Sequence, residues 1–260
     1  MNLHKQLLTE SDCYHAGRTI TPKGVMIHST GANNPELRRY VAPNDGLLGE
    51  PSLRHWNQPG ISACVHAFIG RLADGSVAAY QTLPWTMRGW HCASGNKGSG
   101  NNTHISFEIC EDGLEDADYF QAVYRQAVEL TAYLCKEYGL DPLADGVVLC
   151  HQEGYQQGIA SNHADVLHWF PKFGKTMDDF RADVAQEMEG NMTQAQFNAM
   201  LEQYVQQQAA KGPNDWSQAA RAWAESRHII SGDGTGSLQY QKFCPRDELI
   251  QILYAFSQTL

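Results

Sequence analysis

The segment Gly24-Val25-Met26-Ile27-His28 is a short apolar run that follows Pro22 and ends in a histidine. A second run, Val147-Val148-Leu149-Cys150, follows Asp145-Gly146 and leads into His151. Apolar runs of this length next to turn residues are typical of buried strands. We therefore expect two core strands, each of which brings a histidine from its carboxyl end towards a shared site.

The chain between and after these runs alternates between strand and helix patterns. Ala73-Asp74-Gly75 predicts a hairpin turn, because Asp-Gly readily adopts the positive φ angles of tight turns. Gly139 is placed to end a helix. The further predicted strands are residues 61–70, 75–81 and 104–110, and the predicted helices are residues 119–138 and 176–188. This order predicts an α/β fold in which helices flank a central sheet.

The predicted secondary structure changes from mixed strands and helices to helices alone near residue 189. Residues 189–191 resemble a linker, and three helices are expected after it, over residues 192–208, 214–227 and 245–256. A polar glycine loop, residues 231–237, lacks the alternating acidic ligands and final glutamate of a calcium-binding EF-hand. We expect two domains, residues 1–188 and a small all-α domain of residues 189–260.

Composition narrows the functional classes. The 260 residues are 42% hydrophobic and 18% charged, which is typical of a soluble globular protein. A net charge of -10 without a basic stripe argues against a nucleic-acid partner. No run is long enough to cross a membrane, and the first 21 residues lack the apolar core of a signal peptide. We therefore expect synthesis in the cytoplasm, no membrane partner, and release by another route.

Seven cysteines form an odd set without CxxC spacing. Most of them lie in apolar segments, so buried free thiols in a reducing compartment are the simplest expectation.

The chemistry-bearing residues are concentrated in the first predicted domain. A lone histidine is usually a structural residue, so neither His28 nor His151 alone indicates a metal site. The loop after His151, however, contains His163 two residues before Asp165. Such a loop can bring a third ligand and a catalytic helper to the same ion.

Several segments together resemble the type 2 N-acetylmuramoyl-L-alanine amidases, a zinc family that includes peptidoglycan recognition proteins and phage lysins. The similar segments are residues 25–30, Val65-His66-Ala67-Phe68-Ile69-Gly70 with Ala73-Asp74-Gly75, Gly89-Trp90-His91, and residues 101–111. The resemblance covers residues 20–188. It implies a mixed central sheet flanked by helices and one catalytic Zn2+ ion that serves to cleave the amide bond between N-acetylmuramic acid and L-alanine.

The resemblance also implies roles for individual residues. His28, His151 and Asp165 match the zinc ligands, and three protein ligands leave a position open for water, as in catalytic sites. Glu108 matches the strand glutamate that takes a proton from the attacking water and passes it to the leaving amine. His163 stands where relatives have lysine and is expected to stabilise the oxyanion.

Three assignments stay open at this point. His163 is an alternative third ligand, with Asp165 then orienting it. His66 and His91 match cleft positions and are candidates for substrate binding, with packing as the alternative.

The region after residue 189 resembles a single S-layer homology motif, a helical module that binds cell-wall polymers. We expect peptidoglycan as the partner of the first domain and, as one alternative, a secondary wall polymer as the partner of the second. A helical packing appendage is the other alternative. A phage or prophage endolysin is the expected context. The competing functions are a non-catalytic peptidoglycan-binding protein of the same fold and a zinc peptidase that cuts within the stem peptide.

Overall fold

The computed structural model describes residues 1–190, 194–230, 232, 234 and 236–259. The chain divides into two compact units, Met1–Gly190 and Asn191–Leu260. The first unit contains the sheet and every candidate site residue predicted from the sequence. The second unit is helical.

Six strands form one mixed sheet in the first unit. They are β1 (Leu3–Lys5), β2 (Gly24–Asn33), β3 (Ala67–Arg71), β4 (Val77–Gln81), β5 (His104–Glu111) and β6 (Val148–Cys150). Their order across the sheet is β1-β4-β3-β5-β2-β6. The β3–β4 pair is antiparallel, whereas all other neighbours are parallel. The predicted mixed sheet flanked by helices is therefore confirmed.

Four helices belong to the first unit: α1 (Asp12–Ala16), α2 (Ala117–Tyr138), α3 (His151–Gln156) and α4 (Met177–Glu189). The Asp116 side chain caps α2 by accepting a hydrogen bond from the Tyr119 N–H, and Gly139 ends the helix at φ 64°. Thr176 and Asp179 form a reciprocal capping box at the start of α4.

The two faces of the sheet have different roles. Alternate residues of a strand point to opposite faces, and Ile105 and Phe107 of β5 join Ile27 of β2 in the large core beneath α2 and α4. Glu108 and His28 therefore face the other way. They are direct neighbours in the β2–β5 register, so two polar side chains meet on the face opposite the helices.

Several boundaries differ from the sequence-based expectations. β2 continues to Asn33, so His28 lies within the strand and not at its end. β3 begins at Ala67, later than residue 61, although the hairpin with β4 is present. The short elements β1, α1 and α3 were absent from the expectation, because elements of three to six residues leave almost no periodic signal.

The expectation that all seven cysteines are free thiols is wrong for two of them. Cys13 and Cys64 form a disulfide between positions 51 residues apart. Residues this distant meet only through the fold, so neither their count nor their spacing indicated the pair. Cys92, Cys110, Cys135 and Cys150 are buried free thiols, and Cys244 is an exposed one.

The second unit contains α5 (Gln194–Ala209), α6 (Gln218–Ser226) and α7 (Arg246–Ser257). The start of the predicted helix at residues 192–193, Asn191 of the predicted linker, and Ser231, Asp233 and Thr235 of the glycine loop lie outside the described residues. A short 3-10 turn, Asp215–Ser217, precedes α6 where one continuous helix was expected. Within the described part of the chain, no helix combines the length and apolar character needed to cross a membrane.

Candidate active site

Three separate elements deliver the residues of the cluster formed by His28, His151 and Asp165. His28 projects from β2, and His151 is the first residue of α3, directly after β6. Asp165 begins a 3-10 turn, Asp165–His168, and has a φ of 44°, which is uncommon for a residue other than glycine. The parallel pairing of β2 with β6 brings the two histidines together.

The cluster is compact. Asp165 Oδ2 lies 2.7 Å from His28 Nδ1 and 3.1 Å from His151 Nδ1. The two Nδ1 atoms are themselves 3.1 Å apart. Among the described residues, these three side chains form the group of donors that could hold a metal ion.

Each imidazole has a second contact on its outer side. His28 Nε2 lies 2.9 Å from His91 Nδ1, and His151 Nε2 lies 3.2 Å from Ser161 Oγ. Ser161 has no place among the residues singled out from the sequence. A lone serine in a polar loop carries no signal that would have identified it.

Burial and hydrogen bonding shift the pKa values of His28 and Asp165. Burial lowers the pKa of His28 below its ordinary value, and contact with Asp165 opposes this effect. Burial alone would raise the pKa of Asp165, but hydrogen bonds from His151 and His28 outweigh it and hold that pKa below its ordinary range. The aspartate is therefore a carboxylate at neutral pH.

The cluster lies in a pocket of about 380 Å³. Its polar lining includes His28, His91, Asn101, Glu108, His151, Ser161, His163 and Asp165. Main-chain contacts close its wall: the Ser161 N–H donates to Cys92 O at 2.9 Å, and Asn101 Oδ1 accepts from the N–H groups of His91 and Cys92.

Glu108 places a second carboxyl group in the same pocket. Its Oε2 atom is buried and has no hydrogen-bond partner among the described residues. Burial raises the pKa of Glu108 well above the ordinary value, and the nearby charges of Asp165 and Glu111 add to this effect. Glu111, on the same strand, is instead paired with His168 at 2.9 Å and does not line the pocket.

Two further histidines predicted as site residues, His163 and His66, lie in different surroundings. His163 is exposed, its ring lies near that of His151 with centroids 4.7 Å apart and planes tilted by 41°, and its Nδ1 contacts Ser161 Oγ at 3.1 Å. His66 is fully buried and does not line the pocket. Its Nδ1 accepts from Ser106 N–H and its Nε2 donates to Met87 O, while burial lowers its pKa to about 4.

Comparison with known proteins identifies the family of this chain. The sequence profile of the family described as N-acetylmuramoyl-L-alanine amidase matches residues 18–168, more than half of the chain. The chain belongs to this amidase family. The matched segment contains His28, Glu108, His151 and Asp165.

The N-acetylmuramoyl-L-alanine amidase CwlH of Bacillus subtilis is 28% identical over 122 residues. The match covers 47% of this chain and 42% of CwlH, so the chain spans less than half the length of this relative.

Two solved structures share the fold of this amidase-family chain. The Staphylococcus aureus hydrolase AmiA, solved with its ligand, gives a TM-score of 0.50 at 17% identity over 72% of this chain and 83% of AmiA. The PlyG catalytic domain also gives 0.50, at 20% identity over 74% of this chain and 99% of that domain. At these identities the similarity establishes the fold alone.

Proposed function

We propose that this chain is a zinc-dependent amidase that cleaves the bond between N-acetylmuramic acid and the L-alanine of the peptidoglycan stem peptide. The observation that carries the proposal is the convergence of His28, His151 and Asp165 in one pocket with Glu108, within the segment that matches the amidase family.

The donor set fits zinc. Two imidazole nitrogens and one carboxylate oxygen are ligands that zinc commonly takes, and tetrahedral zinc at about 2.0–2.1 Å from its ligands separates them by about 3.3 Å. The donor atoms here lie 2.7–3.1 Å apart, close to that spacing. Three protein donors leave room for substrate and water. A zinc ion bound by them would lower the pKa of water towards about 7 and polarise the scissile carbonyl.

We assign Glu108 the transfer of the proton. Its unpartnered Oε2 can accept a proton from the attacking water and then deliver it to the amine of the leaving L-alanine. The raised pKa of Glu108 suits this role, because the carboxyl group must hold the proton between the two steps.

We assign His163 to the developing oxyanion of the tetrahedral intermediate. Its ring is exposed at the pocket and lies beside His151. The alternative in which His163 supplies the third metal donor is less well supported, because its Nδ1 contacts Ser161 and Asp165 already lies between the two imidazoles. His91 retains a place in the pocket lining, whereas both ring nitrogens of His66 are engaged inside the protein.

We infer that residues 1–188 are the catalytic domain and residues 189–260 a helical accessory domain. Binding of a secondary wall polymer by the accessory domain is supported by its sequence resemblance to one S-layer homology motif. Action on the wall after release by lysis is the corresponding cellular context.

The test is digestion of purified peptidoglycan with zinc-loaded, chelated and zinc-restored protein, followed by mass spectrometry of the released fragments. We expect stem peptides with a free N-terminal L-alanine, lost on chelation and recovered with zinc. Fragments cut within the stem would indicate a peptidase, and binding without any release would indicate a receptor; either result would refute the proposal.

A further inference from the structure

We propose that His91 is a positioning residue that fixes the tautomer and orientation of His28 for metal binding. The inference rests on the proposed metal site and extends it to a side chain that contacts a ligand and not the ion. It is based on the different contacts that the two ring nitrogens of His28 make.

The two nitrogens of His28 face different surroundings. Nδ1 points into the donor cluster, 2.7 Å from Asp165 Oδ2, while Nε2 lies 2.9 Å from His91 Nδ1 on the outer side. The two rings meet edge to face, with an interplanar angle of 71°. His91 is therefore in hydrogen-bonding contact with the one nitrogen of His28 that is turned away from the cluster.

The positions of the protons follow from this arrangement. A neutral imidazole carries one proton, so Nδ1 can offer its lone pair to a cation only when that proton is on Nε2. Nε2–H then donates to His91 Nδ1, which acts as the acceptor. His91 must in turn carry its own proton on Nε2.

The main chain holds His91 in place. The His91 N–H donates to Asn101 Oδ1 at 2.8 Å, and the next N–H, of Cys92, donates to the same oxygen at 3.1 Å. His91 Nε2 is buried without a partner among the described residues. A buried polar atom left unpaired opposes stability and points to a functional reason for the residue.

The second imidazole of the cluster repeats the pattern. His151 also turns Nδ1 towards Asp165 and Nε2 towards an outer partner, Ser161 Oγ. The Ser161 N–H bonds to the carbonyl of Cys92, the residue after His91. The same short segment thus supports both imidazoles, which is how outer hydrogen bonds orient metal-binding histidines in general.

The experiment compares the full-length protein with His91→Phe, which removes the acceptor, and His91→Asn, whose side-chain oxygen can replace Nδ1. Zinc affinity is measured by competition with a chromogenic chelator, and thermal unfolding is measured without metal. We expect His91→Phe to weaken zinc binding about 10- to 100-fold without lowering the melting temperature of the metal-free protein. We expect His91→Asn to recover most of the affinity.

A second readout uses the zinc-loaded wild-type protein alone. Nitrogen-15 NMR should place the His28 proton on Nε2, in slow exchange with water. A proton on Nδ1, or equal zinc affinity in wild type and His91→Phe, would overturn the inference while leaving the amidase proposal intact. Failure of the wild-type protein to bind zinc would overturn both, so the two failures are distinguishable.

Discussion

Replacement of Glu108 by glutamine tests the catalytic role of this side chain without disrupting the fold. Glutamine keeps the volume of the side chain and one carbonyl oxygen but cannot accept a proton at neutral pH. The Glu108 side chain is half-buried, its Oε2 atom is buried without a hydrogen-bond partner among the described residues, and burial, with the nearby charges of Asp165 and Glu111, raises its pKa. Glu108→Gln should therefore remove the proton transfer without opening a cavity.

The expected loss of activity follows from the proposed role of Glu108 as the general acid–base group. A positioned general acid–base group contributes about 10²- to 10⁴-fold, which corresponds to about 3–5 kcal/mol of barrier height. In contrast to the activity, the stability of the folded variant should increase at neutral pH. Because the folded-state pKa of Glu108 is raised, its charged form disfavours the fold as pH rises above the ordinary value of 4.5. The metal-free variant should match wild type at lower pH and be more stable than wild type at neutral pH.

The assay is the rate of release of L-alanine-terminated peptides from peptidoglycan at saturating zinc, with thermal unfolding measured across pH. Glu111→Gln is the matched control, since Glu111 is a buried carboxylate on the same strand that pairs with His168 outside the pocket. We expect the control to lose stability and to keep its activity per folded molecule. A Glu108→Gln rate within a few-fold of wild type would refute the assignment of Glu108.

Further predictions concern the proposed metal ligand Asp165, the hydrogen bond to the outer nitrogen of His151, the disulfide, and the first unit on its own. Asp165→Ala should abolish stoichiometric zinc binding in equilibrium dialysis, because only two buried imidazoles remain as donors. Ser161→Ala should weaken zinc binding about tenfold in chelator competition, since His151 Nε2 loses its partner; unchanged affinity would argue against that support. Joint replacement of Cys13 and Cys64 by serine should lower the free energy of unfolding in urea by about 4 kcal/mol, because the disulfide closes a loop of 51 residues. Residues 1–190 alone should fold cooperatively and cleave soluble muropeptides, because the sheet, its core and the pocket all lie within that unit; loss of cooperative unfolding would contradict this.

Some of the fold was predictable because burial imposes a pattern on sequence. The helical spacing of α2 follows from the burial of one of its faces, whereas β5 is buried on both faces of the sheet and is marked by a short, mostly apolar run. The extension of β2 beyond His28 was not predictable, because Ser29-Thr30-Gly31 breaks the apolar run and the pairing with β5 resumes at Asn33 only after an irregularity. The strand β1 has three residues and is defined by its pairing with β4, which no local pattern reveals.

The sequence singled out most of the residues that line the pocket, but not the contacts between them. Resemblance to the amidase family pointed to His28, Glu108, His151 and Asp165, and all four line one pocket. The contact between His28 and His91 joins positions 63 residues apart. It depends on which ring nitrogen faces which neighbour, and the sequence does not encode that choice in any local pattern.

The most direct test of the central claim is hydrolysis of a defined muropeptide in water enriched in oxygen-18. Zinc-loaded protein should place the label in the lactyl carboxyl group of N-acetylmuramic acid and release a stem peptide whose L-alanine has a free, unlabelled amine. Label in a carboxyl group within the stem peptide, or no label in either product, would contradict the account.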